Sequence, residues 1–372
     1  MRERLGPKAQ EELNQRRLTE SLRFGFKSRP RPMSKKFIVN AIISLILIAI
    51  VVYFSGGIEV LREIKNLDLF YLFLAILSLF IMYLAMAYRM FHLLRAMKVK
   101  VKYFDVLKAH FAGMLAADFT PARMGYFASS VDLHYNYKVP SEKAFLVALG
   151  PQVFDFITKV LGGSLGILLI ASKLAEIQNP IYLYFGVLVL VAMIAVMTLL
   201  MFSSRFVKFL IWLSSFLKHI PFGSFLLLPV NKLLNMVERM QAHSGIIIKE
   251  MWVIIAMIAI AWPAKALSWY FVAKSVGITI DSGMDEFIFY LLFQPMLTIL
   301  EFLPTPTLAG MGLSEGGAVM VLGLYGISSA KAAAFALVAR FKTTLLSLTL
   351  GASETVELAR KAGEELKSIF QF

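Results

Sequence analysis

Nine ionisable residues stand inside long apolar runs of this 372-residue chain: Asp118, Arg123, Asp155, Lys159, Lys265, Glu301, Glu315, Arg340 and Lys342. A charge at the centre of a bilayer costs at least ~2.5–3.5 kcal/mol, so each of them must be paired, hydrated or used. Nine exceed what anchoring requires. Arg123 has Asp118 as its only acid nearby in sequence, and it precedes Gly125, where a helix is expected to start. Free N–H groups and the helix dipole favour an anion there, and a guanidinium fork fits two phosphate oxygens as lysine cannot. Arg123 is therefore the expected phosphate contact, joined by Lys265, Arg340 and Lys342, with a structural bridge to Asp118 or Asp155 as the competing expectation.

The remaining charges read as gating or coupling groups: Asp118, Asp155, Lys159, Glu301 and Glu315. Asp155 and Lys159 are four apart on one helical face and suit a local ion pair. Glu315 follows Gly312 by three, the position of an acid that caps a helix start; it also suits a salt bridge to Arg340 or Lys342. Glu301 stands just before Leu303-Pro304, where burial would let it carry a proton. Lys143 and Lys331 fall at span mouths on opposite sides, where snorkelling to the interface is the expectation.

The elements that must hold these groups are membrane helices. The chain is 58% hydrophobic and 17% charged with a mean hydropathy of +0.71, too apolar for a water-soluble domain. Six stretches are long enough to cross a ~30 Å hydrocarbon core: Phe37–Ser55, Leu67–Tyr88, Ala144–Ser172, Ile181–Phe202, Met251–Lys274 and Ala330–Gly351. Two more runs are broken. Val106–Tyr137 is interrupted at Thr120-Pro121-Ala-Arg123-Met-Gly125, and Glu286–Tyr325 at Pro304-Thr-Pro306-Thr-Leu-Ala-Gly310-Met-Gly312. Proline lacks an N–H and glycine loosens a helix, so both runs are expected to dip into the membrane, break and return. The expected fold is an all-α polytopic membrane protein of about six spans plus two re-entrant hairpins.

Charge partitions along the chain. Of the formal +14, half sits in residues 1–36, with eleven Lys/Arg against four Glu. The segments Arg89–Lys108 and Phe202–Glu250 hold six basic residues each, which places them and both termini in the cytoplasm. The basic tail 1–36 reads either as an attachment to anionic lipid or as a topology determinant alone. The apolar run behind it lacks a small-x-small cleavage site and reads as a retained anchor, not a signal peptide. Residues 37–351 form the expected membrane domain, with an amphipathic cytoplasmic segment over 205–250, and 352–372 a short charged tail.

An internal repeat organises this domain. A shift of 188 residues lays Val139–Leu149 over Ile327–Leu337, matching Lys143 to Lys331 and Gly163 to Gly351, and with a one-residue gap Gly125 falls on Gly312. Each copy follows a broken hairpin, giving halves of about 104–172 and 285–351. The first hairpin enters from the cytoplasm and the second from outside, so the repeat is inverted. Inverted repeats with discontinuous helices expose helix ends near the midplane, a pattern of transporters; a duplication kept for packing alone is the other reading.

These segments resemble the membrane domain of lysylphosphatidylglycerol synthases and its stand-alone, flippase-like bacterial and archaeal relatives, from about Ser34 to Ala352. The family's Pro-Gly-Arg-x-Gly-Glu appears as Pro121-Ala-Arg123-Met-Gly125-Tyr126, and its Glu-Arg-x-x-Asp as Pro151-Gln152-Val-Phe-Asp155. Its Pro-x-Pro-Gly-Gly-x-Gly-x-x-Glu appears as Pro304 through Gly310, Gly312 and Glu315, followed by Arg340. Tyr126 and Gln152 depart from the pattern where charges are usual; the second half keeps it. The resemblance implies translocation of a lipid with a charged head group between the leaflets of a prokaryotic plasma membrane. The synthases' separate soluble transferase domain has no counterpart in this sequence, so lysyl transfer is not expected.

Other chemistries lack their residues. With no cysteine there is no disulfide, thiolate zinc site, iron–sulfur cluster or cysteine nucleophile. The five histidines lack metal-ligand spacing, and no phosphate-binding Gly-x-x-x-x-Gly-Lys-Ser/Thr run occurs, so ATP is not the direct power source. Asp281–Glu286 reads as a solvated acidic loop, or less simply as a divalent-cation site. Basic charge confined to the tail and loops does not fit nucleic acid. No cofactor and no catalysis are expected. The leading reading is an ATP-independent translocase of an anionic phospholipid or a polyprenyl-phosphate-linked sugar. The alternatives are a membrane subunit or enzyme of lipid-linked glycan synthesis, disfavoured by the lack of an Asp-x-Asp motif, and an ion-coupled solute carrier using Asp155 and Glu301.

Overall fold

A computed structural model describes residues 35–174, 195, 199, 203–215, 238, 241, 243–302 and 305–369. The chain divides into two units, Met1–Val39 and Asn40–Phe372. Of the first, only the opening residues of one helix are described; all that follows concerns the second. The predicted span 181–202 and the tail 1–34 lie outside the described residues.

Apolar runs become helices and the breakers end them. The helices are α1 Lys35–Phe54, α2 Ile58–Lys65, α3 Leu69–Ala96, α4 Tyr103–Asp118, α5 Ala128–Tyr135, α6 Ser141–Leu149, α7 Gln152–Leu174, α8 Ser204–Ser215, α9 Gly245–Lys249, α10 Met251–Ser275, α11 Glu286–Phe302, α12 Leu313–Leu324 and α13 Ser329–Ile369. No strand occurs among the described residues. Among the described residues four spans are long and apolar enough to cross a membrane, Leu69–Ala96, Ser141–Ile167, Met251–Ser275 and Ser329–Leu358. A fifth arises if α1 and α2 count as one, but they meet at an 89° bend. Gly56 and Gly57, both at positive φ, make that bend directly after the predicted span Phe37–Ser55. The predicted span 144–172 lies on one candidate span, Ser141–Ile167, in which a turn at Gly150 and Pro151 marks the join of α6 and α7. The last helix runs on past Gly351 to Ile369.

The two broken runs are helix–break–helix units. Thr120 is extended, as a residue before proline must be, and Pro121 opens a short 3-10 turn to Phe127. The Thr120 hydroxyl donates to the Ala116 carbonyl at 3.0 Å and accepts from the Gly125 N–H at 2.6 Å, tying the end of α4 to the 3-10 turn; the next α-helix begins at Ala128, not at Gly125 as the sequence suggested. In the second break Ala309, Gly310 and Gly312 all take positive φ before α12 begins.

Contact registers show that the halves are inverted. Helix α3 runs antiparallel to α10: Ser268 Oγ donates to the Ala75 carbonyl, and at the other end Met90 and Leu93 share a core with Ile254 and Ile258. Helix α4 lies antiparallel to α3, with Phe91 against Tyr103 at one end and Phe80 against Phe111 at the other. In the same way α11 lies antiparallel to α10, with Lys274 paired to Glu286 at one end and Lys265 donating to Thr298 Oγ1 toward the other. Thus α4 and α11 run in opposite directions. Each then packs on the other half's last span. Gly351 of α13 meets the Phe111 carbonyl of α4, where a Cβ would stand 2.6 Å away, and Gly166 of α7 meets the Leu292 carbonyl of α11, at 2.8 Å. Such approaches admit only hydrogen at that position.

Turn geometry repeats as well. Lys143 donates to the Met97 carbonyl at the end of α3, and its repeat partner Lys331 to the Gly277 carbonyl at the end of α10. Lysine at a helix C-terminus satisfies a free carbonyl and suits the dipole, which is more than snorkelling. Lys98, Lys138 and Arg123 take the left-handed region at φ 58°, 57° and 54°. Their counterparts in the second half are Gly277, Gly326 and Gly310, at φ 68°, 76° and 68°.

Candidate functional site

The two breaks meet tip to tip. The Ala309 N–H donates to the Thr120 carbonyl at 3.0 Å, joining the second break to the first through backbone alone. Arg123, held at φ 54° by the first break, spans the junction. Its guanidinium donates to Glu301 Oε2 of α11 at 2.6 Å and to Asp118 Oδ1 of α4 at 3.0 Å. Thr344 of α13 donates to the other Asp118 oxygen at 3.3 Å. The C-terminal ends of α4 and α11 both point here, and their partial negative charge favours the cation.

The second hairpin carries its own pair. Glu315 accepts the Gly312 N–H at 2.7 Å and is also bonded to Arg340 Nε, so the capping and salt-bridge readings both hold. Arg340 also donates to Ser314 Oγ at 2.5 Å and lies 3.5 Å from the Ala309 carbonyl. At the repeat-related positions of the first half stand Ala128 and Gln152, neither of them charged.

Asp155 is held differently from the sequence reading. Arg89 of α3 clamps its carboxylate in two parallel bonds of 2.8 Å, and Arg89 is 1% exposed. Arg89 counted as a loop cation in the sequence; in the structure it lies within α3, seven residues before that helix ends. The signal that marks it is the apolar stretch Met90–Leu94 behind it. Lys159, the sequence partner of Asp155, lies over the Phe156 ring, 5.1 Å from its centroid. Lys265, two residues after Pro263, reaches Thr298 Oγ1 at 3.4 Å. Lys342 donates to Ser268 Oγ at 2.6 Å and is 2% exposed.

Two cavities adjoin at Arg123, Lys265 and Glu301. The larger, about 150 Å³, lies between α3, α4, α7, α10 and α11, with Arg123, Asp155, Lys159, Lys265, Glu301 and His110 in its wall. The smaller, about 60 Å³, holds Asp118, Glu315 and Arg340 and reaches α13. The structure therefore gathers eight of the nine charges singled out in the sequence around these two adjoining cavities; Lys342 lines neither. Pro304 lies outside the described residues, and Pro306 precedes the turn that carries Ala309 and Gly310. Sequence reasoning missed His110, whose ring sits between Tyr83 and Tyr126 with centroids 5.6 Å and 5.9 Å away. Among the described residues no group of three or more His, Cys, Asp or Glu is placed to hold a metal ion.

Inverted halves whose broken helices meet over buried charges define a polytopic integral membrane protein with an internal polar site. Residues 38–351 match the family described as the lysylphosphatidylglycerol synthase TM region, and the chain belongs to that family. The family is one of membrane lipid handling. No curated protein matches the chain.

Proposed function

We propose that this protein moves a lipid with an anionic head group between bilayer leaflets without nucleotide and without covalent chemistry. The observation that carries the reading is the junction of the two breaks: Arg123, from one half, is bonded across it to Glu301 of the other. A phosphate oxygen and a carboxylate compete for the same guanidinium. Binding of the lipid phosphate exchanges Glu301 for the ligand and loosens the tie between hairpins, and rocking of the halves then turns the site toward the other leaflet. Acyl or isoprenoid chains remain in the bilayer throughout, so only the head group crosses. Arg340 and Lys265 supply the further positive charge at the adjoining cavities. The protein sits, in this reading, in a prokaryotic plasma membrane with both termini cytoplasmic.

The test is reconstitution. Purified protein in liposomes equilibrates fluorescent anionic lipid, phospholipid or polyprenyl phosphate, between leaflets without ATP, and Arg123→Ala stops it. No movement of any anionic or polyprenyl lipid, in vesicles shown to hold folded protein, overturns the reading. Uptake of a water-soluble substrate driven by a pH gradient would establish a solute carrier instead.

A further inference from the structure

We infer that α1 is a lateral gate: it swings away from the second hairpin and opens the seam between them as a passage from the bilayer to the junction of the breaks. The inference rests on the transport reading for what passes through the seam; the swing of α1 is a property of the fold and is tested without it. Between Asn40 and Phe54, Ser44 is the one buried residue, while Ile42, Ile46, Ile50 and Tyr53 lie exposed on the opposite face. Ser44, Leu47 and Val51, three and four residues apart, form the stripe that meets the hairpin. Ser44 Oγ accepts the Leu308 N–H at 2.8 Å. Gly312, at φ 89°, lies so close to Leu47 that a Cβ would collide with it, and a Cβ on Gly316 would stand 3.8 Å from the Val51 side chain.

The hairpin under this stripe is polar. Thr305 and Thr307 share a hydrogen bond of 2.8 Å, and Ser314 and Glu315 are both bonded to Arg340. On this side α1, whose other face is exposed and apolar, is what separates those groups from hydrocarbon. Its hold is one that can be released. Two consecutive N–H groups of the turn are bonded in different directions, Leu308 to Ser44 of α1 and Ala309 to Thr120 of the first break, so the turn is clamped from both sides. Ser44 also donates to the Asn40 carbonyl one turn back at 2.8 Å, and keeps that bond when it lets Leu308 go. The Leu308 N–H has no such reserve, and an N–H without an acceptor is costly in lipid; an oxygen of an entering head group replaces the hydroxyl. The pivot is Gly56–Gly57, at φ 106° and 53°, which joins α1 to α2 across the 89° bend. A Cβ on Gly57 would meet nothing within 4 Å, so side-chain packing does not hold the pivot.

Two measurements on the full-length chain test this. Spin labels on Ile50→Cys of α1 and Met320→Cys of α12, both exposed positions, report the seam by pulsed EPR in phosphatidylglycerol nanodiscs. Two distances should be populated, and Ser44→Ala, which removes the acceptor of the Leu308 N–H, should raise the share of the longer one at least about twofold. In liposomes, oxidation of the pair Val51→Cys with Gly316→Cys should slow scrambling of labelled phosphatidylglycerol at least about tenfold, and reductant should restore it; recovery on reduction shows that the variant is folded. A single distance that Ser44→Ala leaves unchanged, or undiminished scrambling by the oxidised protein, overturns the inference. Two distances in a protein that scrambles no lipid even when reduced would instead sink the transport reading and leave the swing of α1 standing.

Discussion

Arg123 and Glu301, 178 residues apart, form a 2.6 Å bond that ties the tip of one broken hairpin to the other half of the protein. Arg123 holds this place in a left-handed backbone conformation that L side chains rarely adopt, at a position where the second half uses Gly310. Its side chain is placed at the expense of local backbone ease. Arg123→Gly therefore relieves strain while removing the guanidinium: it should be more stable than Arg123→Ala by about 1 kcal/mol, yet equally without lipid scrambling. Arg123→Lys keeps the charge but cannot fork between two acids, and should scramble at least about tenfold more slowly. Unfolding in detergent and liposome scrambling together read both halves of this expectation.

The Thr120–Ala309 backbone contact offers a direct lock. The chain has no cysteine of its own, so Thr120→Cys with Ala309→Cys gives a single engineered pair. Oxidation should arrest scrambling and reductant restore it. Full activity in a cross-linked sample would show that the hairpins need not part.

Arg89 and Asp155 should behave as a buried pair whose members cannot be removed singly. Arg89→Ala or Asp155→Ala leaves an unpaired buried charge and should destabilise by about 3–5 kcal/mol. Replacing both with residues of similar size, Arg89→Met and Asp155→Leu, should recover most of that loss. Stability of the two single variants and the double, measured by chemical unfolding, completes the cycle.

Helix α4 is crossed closely at two glycines. A Cβ on Gly125 would stand 2.2 Å from the Ala116 carbonyl, and one on Gly351 2.6 Å from that of Phe111. Gly125→Ala and Gly351→Ala should each destabilise by about 1–3 kcal/mol, since backbone must shift. Gly323, in α12 with nothing within 4 Å, is the control: Gly323→Ala should be neutral or stabilise by up to about 1 kcal/mol.

The inverted relation of the halves is open to labelling. Lys98 and Ser282 follow the C-terminal ends of the antiparallel helices α3 and α10. Lys98→Cys should react with a membrane-impermeant thiol reagent only from the cytoplasmic side, and Ser282→Cys only from outside. Reaction of both from one side would reverse the assigned topology.

Much of the fold was legible because its signals are local. A run of apolar residues must be helical in lipid wherever it lies, and Pro121, Gly125, Gly310 and Gly312 restrict or free their own backbones whatever packs against them. The register of the repeat was also readable, and the lysines it aligned, Lys143 and Lys331, do cap equivalent helix ends. So was the list of charges worth explaining.

Which charge meets which was legible only in part: Arg123–Asp118 and Glu315–Arg340 were among the expected pairs, but Arg89–Asp155 and Arg123–Glu301 were not, because partners in a helical membrane protein are set by helix crossings between distant segments. Asp155 pairs with Arg89, 66 residues back, and not with the lysine one turn away that the i,i+4 rule offered. Arg89 looked like a loop cation because it ends an apolar run, yet α3 continues to Ala96, since Met90, Leu93 and Leu94 have a core to enter with Val106 and Val147. His110 carried no sequence signal; only the packing shows its ring in the cavity wall, between Tyr83 and Tyr126. The sequence by itself determined most of the crossings in the described residues, where the two hairpins break and that the domain repeats, through backbone and solvation physics that each residue carries with it. The tertiary structure alone decided that both breaks meet, that Arg123 bridges them and that Lys342 is turned away, because those outcomes depend on how the two halves pack across each other.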